Sequence, residues 1–162
     1  MKIRAIKEND WKAIVTLQQQ AYTDIEPESE PVLRRKCVIS PTTCMVAVDN
    51  DENLLGCCLS HPWQSCAAPP LHEEIATPVA TTNLFIHDMA VFPQFWKKRV
   101  GTSLYESLLE RASKQGFKTI TLVAVQQART FWSQLGFSEN ANIPLHQAYG
   151  AGAMFMELEL NT

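Results

Sequence analysis

Lys97, Lys98 and Arg99 stand in a row that ends two residues before Gly101, where an apolar stretch gives way to a pattern of helical spacing. A helix that starts there leaves its first backbone N–H groups without intrahelical partners, and its dipole adds partial positive charge. Cations beside such a start make an anion site, and a residue without a Cβ lets a phosphate approach the main chain. A pyrophosphate would fit. Taken locally, the same residues also suit a solvated basic turn with Gly101 as a plain cap, the commoner arrangement for such a run. Neither G-x-x-x-x-G-K-[ST] nor G-x-G-x-x-G occurs, so P-loop nucleotide hydrolysis and dinucleotide binding lack their signatures.

The elements that must position this segment alternate between strand and helix. Residues 2–6 alternate as a strand, and Asn9 and Asp10 supply an N-cap for a helix bearing Trp11, Ile14, Val15, Ala21 and Tyr22. Residues 23–31 hold Asp24, Glu26, Glu28 and Glu30 and predict an exposed acidic loop, with a short basic helix following over 33–37. The apolar runs 44–48 and 54–59 flank Asp49-Asn-Asp-Glu-Asn53, a turn-forming cluster that predicts a hairpin. Pro62, Pro69 and Pro70 break regularity, and a long surface excursion runs on to Thr82. Residues 82–92 are apolar on both faces, as in a central strand, and strict alternation would put His87 and Asp88 on opposite sides. Leu104, Tyr105, Leu108, Leu109 and Ala112 form one helical face that Gly116 closes. Residues 119–123 predict a strand, Ala128, Phe131, Trp132 and Leu135 a short helix, and 153–160 a last strand. The order is β-α-(α)-β-β-β-α-β-α-β-β, with no internal repeat.

At 162 residues and 46% hydrophobic, the chain supports one sizeable core, so a single domain over 1–162 is expected. A net charge of -3 argues against the continuous basic surface that nucleic acid requires. Charges occupy the start where a signal peptide needs apolar residues, and no stretch approaches the ~18 apolar residues of a membrane span. No membrane partner and a cytoplasmic location are therefore expected. Cys37, Cys44, Cys57, Cys58 and Cys66 form an odd count without a C-x-x-C pair, which favours free thiols over a disulfide framework or structural zinc. No metal is expected.

Three segments taken together carry a family resemblance: Ile86-His-Asp-Met-Ala-Val-Phe-Pro93, Trp96-Lys-Lys-Arg-Val-Gly-Thr-Ser-Leu104 and Ala128-Arg-Thr-Phe-Trp-Ser-Gln-Leu-Gly-Phe137. They resemble the GNAT superfamily of N-acetyltransferases, and the order of elements matches over nearly the whole chain. The resemblance implies an α/β (α+β) fold with a mixed, mostly antiparallel central sheet, a splayed strand pair, and acetyl-CoA as co-substrate. It implies that Met89, Ala90 and Val91 bind the pantetheine arm through main-chain hydrogen bonds, as if it were an added strand. Lys97, Lys98, Arg99, Val100, Gly101, Thr102 and Ser103 would hold the pyrophosphate, and Ala128, Phe131 and Trp132 would complete the cofactor site. The family's loop usually has the form [RQ]-x-x-G-x-[GA]; here Trp96 holds the first place, Arg99 the first glycine and Gly101 the last. Trp132 stands where a tyrosine often lies beside phenylalanine, and an indole N–H is no usable acid.

The implied chemistry is direct attack of a neutral amine on the thioester, its oxyanion stabilised by a strand amide worth roughly 3 kcal/mol. An ammonium must first lose a proton. His87 is the candidate base, at a position matching a histidine of arylalkylamine N-acetyltransferases; the alternative is a satisfied core histidine. Tyr149 is the candidate acid for the leaving thiolate, or else a packing residue at a Gly-rich turn. Asp24, Glu26 and Glu28 would draw a cationic acceptor, although surface solvation explains them as well. The expected function is N-acetyl transfer to a small-molecule or amino-acid-like amine, with a homodimer as an optional partner state. The alternative is a non-catalytic acyl-CoA-binding or sensing module.

Overall fold

The computed structural model describes residues 1–161. Its strands are β1 (Lys2–Ala5), β2 (Met45–Val48), β3 (Leu54–Pro62), β4 (Asn83–Val91), β5 (Thr119–Ala124), β6 (Ser138–Glu139) and β7 (Met154–Glu159). Its helices are α1 (Trp11–Ala21), α2 (Glu30–Ile39), α3 (Val100–Lys114) and α4 (Arg129–Gln134). The strands form one sheet in the order β1-β2-β3-β4-β5-β7-β6. Every pairing is antiparallel except that of β4 with β5. The parallel pair requires a crossover, which α3 supplies.

Alternation along the strands feeds two cores. Met45, Ala47, Leu55, Cys58, Leu84 and Ile86 face Leu104, Leu108 and Ala112 of α3. Val46, Val48, Cys57 and Leu59 face Ile14 and Leu17 of α1 and Leu33 of α2. Each fully buried leucine contributes about 2–3 kcal/mol, so the layers hold mainly by these apolar contacts. β4 lies in the middle of the sheet and is covered on both faces, as its unbroken apolar composition predicts.

Local signals fix several joints. Asp49 Oδ1 accepts from Asp51 N at 2.8 Å and Asn53 N at 2.9 Å, which closes the β2–β3 hairpin. Gly116, at φ 83°, ends α3, with Phe117 N donating to Ala112 O at 3.1 Å. The cap expected for α1 differs. Asp10 accepts from Lys7 N at 2.6 Å and from Arg4 at 2.8 Å and 3.0 Å, so its carboxylate serves a 3-10 turn over Glu8–Asp10 and ties β1 to it. The basic helix expected over 33–37 extends over Glu30–Ile39, because the proline at its start suits a first turn.

Candidate functional site

β4 and β5 are in register only from Asn83↔Thr119 to Ile86↔Leu122, yet β4 continues to Val91 and β5 to Ala124. Beyond Ile86 the two strands part, and a cavity of about 260 Å³ opens between them. One wall is β4 from Phe85 to Val91, and the other includes Leu122, Val123, Ala128 and Trp132. The loop between α1 and α2 roofs it with Ile25, Glu26 and Pro27. That loop is held down: Gln126 Oε1 accepts from Asp24 N and Gln126 Nε2 donates to Ala21 O, each at 3.0 Å. Trp96 Nε1 donates to Val91 O at 2.8 Å and so takes up one acceptor on the open strand edge.

The register of β3 against β4 breaks at His87. Leu59 faces Asp88 and Ser60 faces Ile86, leaving His87 as the extra residue of a β-bulge. A bulge cancels one step of alternation, so the expectation that His87 and Asp88 point to opposite faces is wrong: both side chains reach partners in the α1–α2 layer. Asp88 accepts from Gln18 Nε2 and the Tyr22 hydroxyl, with Cys57 Sγ at 3.9 Å. Burial pushes its carboxyl up to about 6, against the lowering effect of those bonds. His87 Nε2 meets Glu28 Oε1. The His87 side chain is only 2% exposed although the residue as a whole is half-buried, so its main chain is the part that faces outward.

Glu28 joins this cluster from the loop expected to be solvated. It is buried, with Lys36 Nζ 3.9 Å from Oε2 and His72 N donating to Oε2 at 2.9 Å. Burial disfavours its charge, but the bond to His87, the Lys36 ammonium and the His72 amide outweigh that and hold it below the usual carboxylate range. The His87 imidazole is pushed the other way, toward neutrality, because burial exceeds the help from Glu28. An ionised carboxylate beside a neutral imidazole follows. The fully buried His61 sits 5.8 Å from His87, ring centre to ring centre, and burial carries its pKa down to about 3.

At the start of α3, Ser103 N makes the first helical bond, to Arg99 O at 2.9 Å. Among the described residues, the N–H groups of Val100, Gly101 and Thr102 therefore have no acceptor. Lys97, Lys98 and Arg99 are exposed beside them, directly after Trp96 in the chain. Arg99 adopts φ 61° and Lys97 φ 63°, the left-handed region that glycine enters freely. Gly101 is half-buried, and a Cβ there would lie 3.4 Å from Phe131 Cζ, so its small size also serves the contact between α3 and α4.

The description "Acetyltransferase (GNAT) family" matches residues 11–137. The chain belongs to the GNAT acetyltransferase family. It is an acyltransferase whose acyl donor is a CoA thioester. Among solved structures it is similar to Ard1 from Thermoplasma volcanium (16% identity, TM-score 0.78, covering 99% of this chain and 98% of that one). It is also similar to the ribosomal-protein-S18-alanine N-acetyltransferase from Escherichia coli (17%, TM-score 0.70, 99% and 94%). A third, the PaiA N-acetyltransferase from Thermoplasma acidophilum, was solved with coenzyme A (15%, TM-score 0.72, 98% and 98%). No curated protein matches the chain in sequence.

In this GNAT chain the residues expected from sequence divide into three groups. Met89, Ala90, Val91, Ala128 and Trp132 line the cavity at the splay. Lys97, Lys98, Arg99, Val100, Gly101, Thr102 and Ser103 gather at the α3 start, and Phe131 packs on Gly101. His87, Glu28 and Tyr149 also line the cavity, as does the exposed Glu26, and Asp24 is exposed. Tyr149 is buried and its hydroxyl donates to Pro69 O at 2.5 Å; burial, with Glu28 nearby, pushes its pKa up. That proton is committed to a carbonyl, so the geometry supports the packing role for Tyr149 rather than the acid role. Sequence reasoning missed Lys36, His61 and Asp88 as neighbours of His87. The one local signal for His61 is its place at the end of the apolar run of β3.

Proposed function

We propose that this GNAT enzyme transfers an acetyl group from acetyl-CoA to the primary amine of a small-molecule or amino-acid-like acceptor, by direct attack in a ternary complex. The observation that carries the reading is the cavity at the β4–β5 splay: an unpaired strand edge leads from the open amides of α3 to the Glu28–His87 pair. Pyrophosphate on the Val100, Gly101 and Thr102 amides, with Lys97, Lys98 and Arg99 beside it, leaves the pantetheine arm to run along Met89, Ala90 and Val91. Trp96 must then release the Val91 carbonyl. The thioester reaches the part of the cavity lined by His87 and Glu28, where the acceptor enters under the α1–α2 loop.

His87 is the proton acceptor in this reading. Glu28 holds one imidazole nitrogen and stabilises the imidazolium that forms, while the other nitrogen stays basic. That second nitrogen is buried and has no hydrogen-bond partner among the described residues, so a water must be admitted to it as the acceptor binds and must relay the ammonium's proton. The acceptor-side carboxylate that sequence reasoning assigned to attraction, Glu28, is already neutralised by Lys36. The exposed Glu26, which lines the cavity, is left to draw a cationic amine.

Release of CoA thiol should be measured with acetyl-CoA against a panel of small amines, amino acids and N-terminal peptides. Small amines should react, and His87→Asn should lower kcat at least ten-fold while leaving the Kd for acetyl-CoA unchanged. Turnover restricted to peptides would overturn the acceptor assignment, and full activity in His87→Asn would remove it as proton acceptor.

A further inference from the structure

The loop between α1 and α2 is pinned at both ends, and one side chain holds its middle. At the first end the Tyr22 hydroxyl donates to Asp88; at the second, His87, Lys36 and the His72 amide fix Glu28. Residues 23–27 between them make a single hydrogen bond among the described residues, from Asp24 N to Gln126 Oε1 at 3.0 Å. The same amide donates from Nε2 to Ala21 O, also at 3.0 Å. That carbonyl is one of those the end of α1 leaves without a helical partner.

Gln126 lies in the turn after β5 at φ 48°, and Gln127 follows at φ 69°. Two successive residues with side chains in the region that glycine favours are strained, and such backbone persists only where its surroundings hold it. The Gln126 amide reaches from the β5 side of the splay to the end of α1. On the other side, α1 is tied to β4 by the bonds from Gln18 and Tyr22 to Asp88. A ring results: β4, α1, the Gln126 amide, β5, and back to β4 through the paired residues from Asn83 to Ile86. Ala21, Ile25, Ile86, Val123 and Gln126 all line the cavity that the ring borders.

We propose that Gln126 is a clasp that sets the size of the acceptor. The inference rests on the reading in which the acceptor enters under the α1–α2 loop. With the clasp made, the loop roofs a cavity of about 260 Å³, below the roughly 300–1,000 Å³ of sites that hold a drug-sized ligand. The thioester end of the donor must share that space, which leaves room for a compact amine and not for the continuing chain of a peptide. A bulkier acceptor is admitted only when Asp24 N leaves Gln126 Oε1 and the loop lifts between its pinned ends, so its apparent affinity is reduced by the fraction of time the roof is open. Both bonds are exposed, and two such bonds shift the balance of closed and open by about ten-fold. The clasp therefore discriminates by size without sealing the site.

The test compares wild type with Gln126→Ala, which removes both bonds, and Gln126→Glu, whose carboxylate still accepts from Asp24 N but has no hydrogen for Ala21 O. The acceptors are glycinamide and a hexapeptide that begins with glycine, the same α-amine with and without a trailing chain. In Gln126→Ala the ratio of kcat/KM for hexapeptide over glycinamide should rise about ten-fold, with the Kd for acetyl-CoA within two-fold of wild type; Gln126→Glu should fall between. A loosened Glu28 would slow both acceptors alike and leave that ratio fixed, so an unchanged ratio overturns the proposal and reduces Gln126 to a structural hold. Hydrogen exchange judges the clasp without turnover: the Asp24 amide should be protected in wild type and lose protection in Gln126→Ala, and an unprotected Asp24 amide in wild type also overturns it. If Gln126→Ala does not fold, Gln126→Glu and the wild-type exchange decide. If neither amine reacts in wild type, the proposed acceptor class fails by itself; the ratio is then read from the Kd values of the two amines, and a ratio equal in wild type and Gln126→Ala overturns the clasp.

Discussion

Replacing His61 with phenylalanine should flatten the fall of stability with acid. In the folded chain burial brings the His61 pKa from 6.5 to about 3, and the neighbouring His87 and Lys36 add to that. The unfolded chain therefore takes up a proton below pH 6.5 that the folded chain refuses until about pH 3. Stability tied to this residue is complete above pH 6.5 and drains as pH falls through that window. Integrated from pH 7 to pH 5, the linkage gives a loss of about 2 kcal/mol from His61 alone. His87, also lowered, adds a loss of the same sign. Asp88, raised from 3.8 to about 6, is protonated first in the folded state and opposes them. Glu28, held below its ordinary 4.5, adds its own loss only beneath that pH. Asp88 and Glu28 are common to wild type and variant, and making the same comparison in a His87→Asn background removes the coupling between the two rings, so the difference in slope there isolates His61. Urea unfolding at pH 7, 6 and 5 measures it: the drop in free energy should be smaller by about 2 kcal/mol in His61→Phe, or about 1 M in midpoint at a typical urea dependence. Equal slopes within about 0.5 kcal/mol would show that His61 titrates normally and is not sealed as described.

Arg99→Gly should raise thermal stability slightly. Relief of a left-handed φ of 61° is worth about 1–2 kcal/mol, offset in part by glycine's larger unfolded-state entropy, and a lower melting temperature would contradict it. Tyr149→Phe should cost about 1 kcal/mol through the lost bond to Pro69, with kcat within two-fold of wild type. A ten-fold fall in kcat at unchanged melting temperature would return the acid role to Tyr149.

Much of the scaffold was legible because its signals are local. Asp49 and Asn53 carry their own turn chemistry, Gly116 needs only a positive φ, and the apolar face of α3 repeats at helical spacing. The order of strands and helices followed from those signals together with the family resemblance. The His87 region was not legible in the same way. A bulge inserts one residue without any change in composition, so a period-two reading of β4 assigns Asp88 to the wrong face. Glu28 looks like any other acid of a polar loop, and only the distant Lys36, His72 and His87 make its burial tolerable. Lys36 hides equally well within a basic helix segment, although it is 1% exposed. The left-handed turn at Arg99 gave no sign because glycine, its usual marker, is missing there.

The short β4–β5 register has a mechanical side. Four register pairs, with the Lys118 N–Thr82 O bond and the Asn83 side-chain bonds to Thr119 and Thr121 beside them, rivet one blade of the sheet, β1 to β4, to the other, β5 to β7. Past that seam the blades lean apart, and a strand-like guest lying in the gap would bridge what the polypeptide leaves unstitched. Occupancy and rigidity are then coupled: amide hydrogens of β5 and β7 should exchange more slowly once a CoA thioester is seated, with the largest change at the residues nearest the open end of the seam.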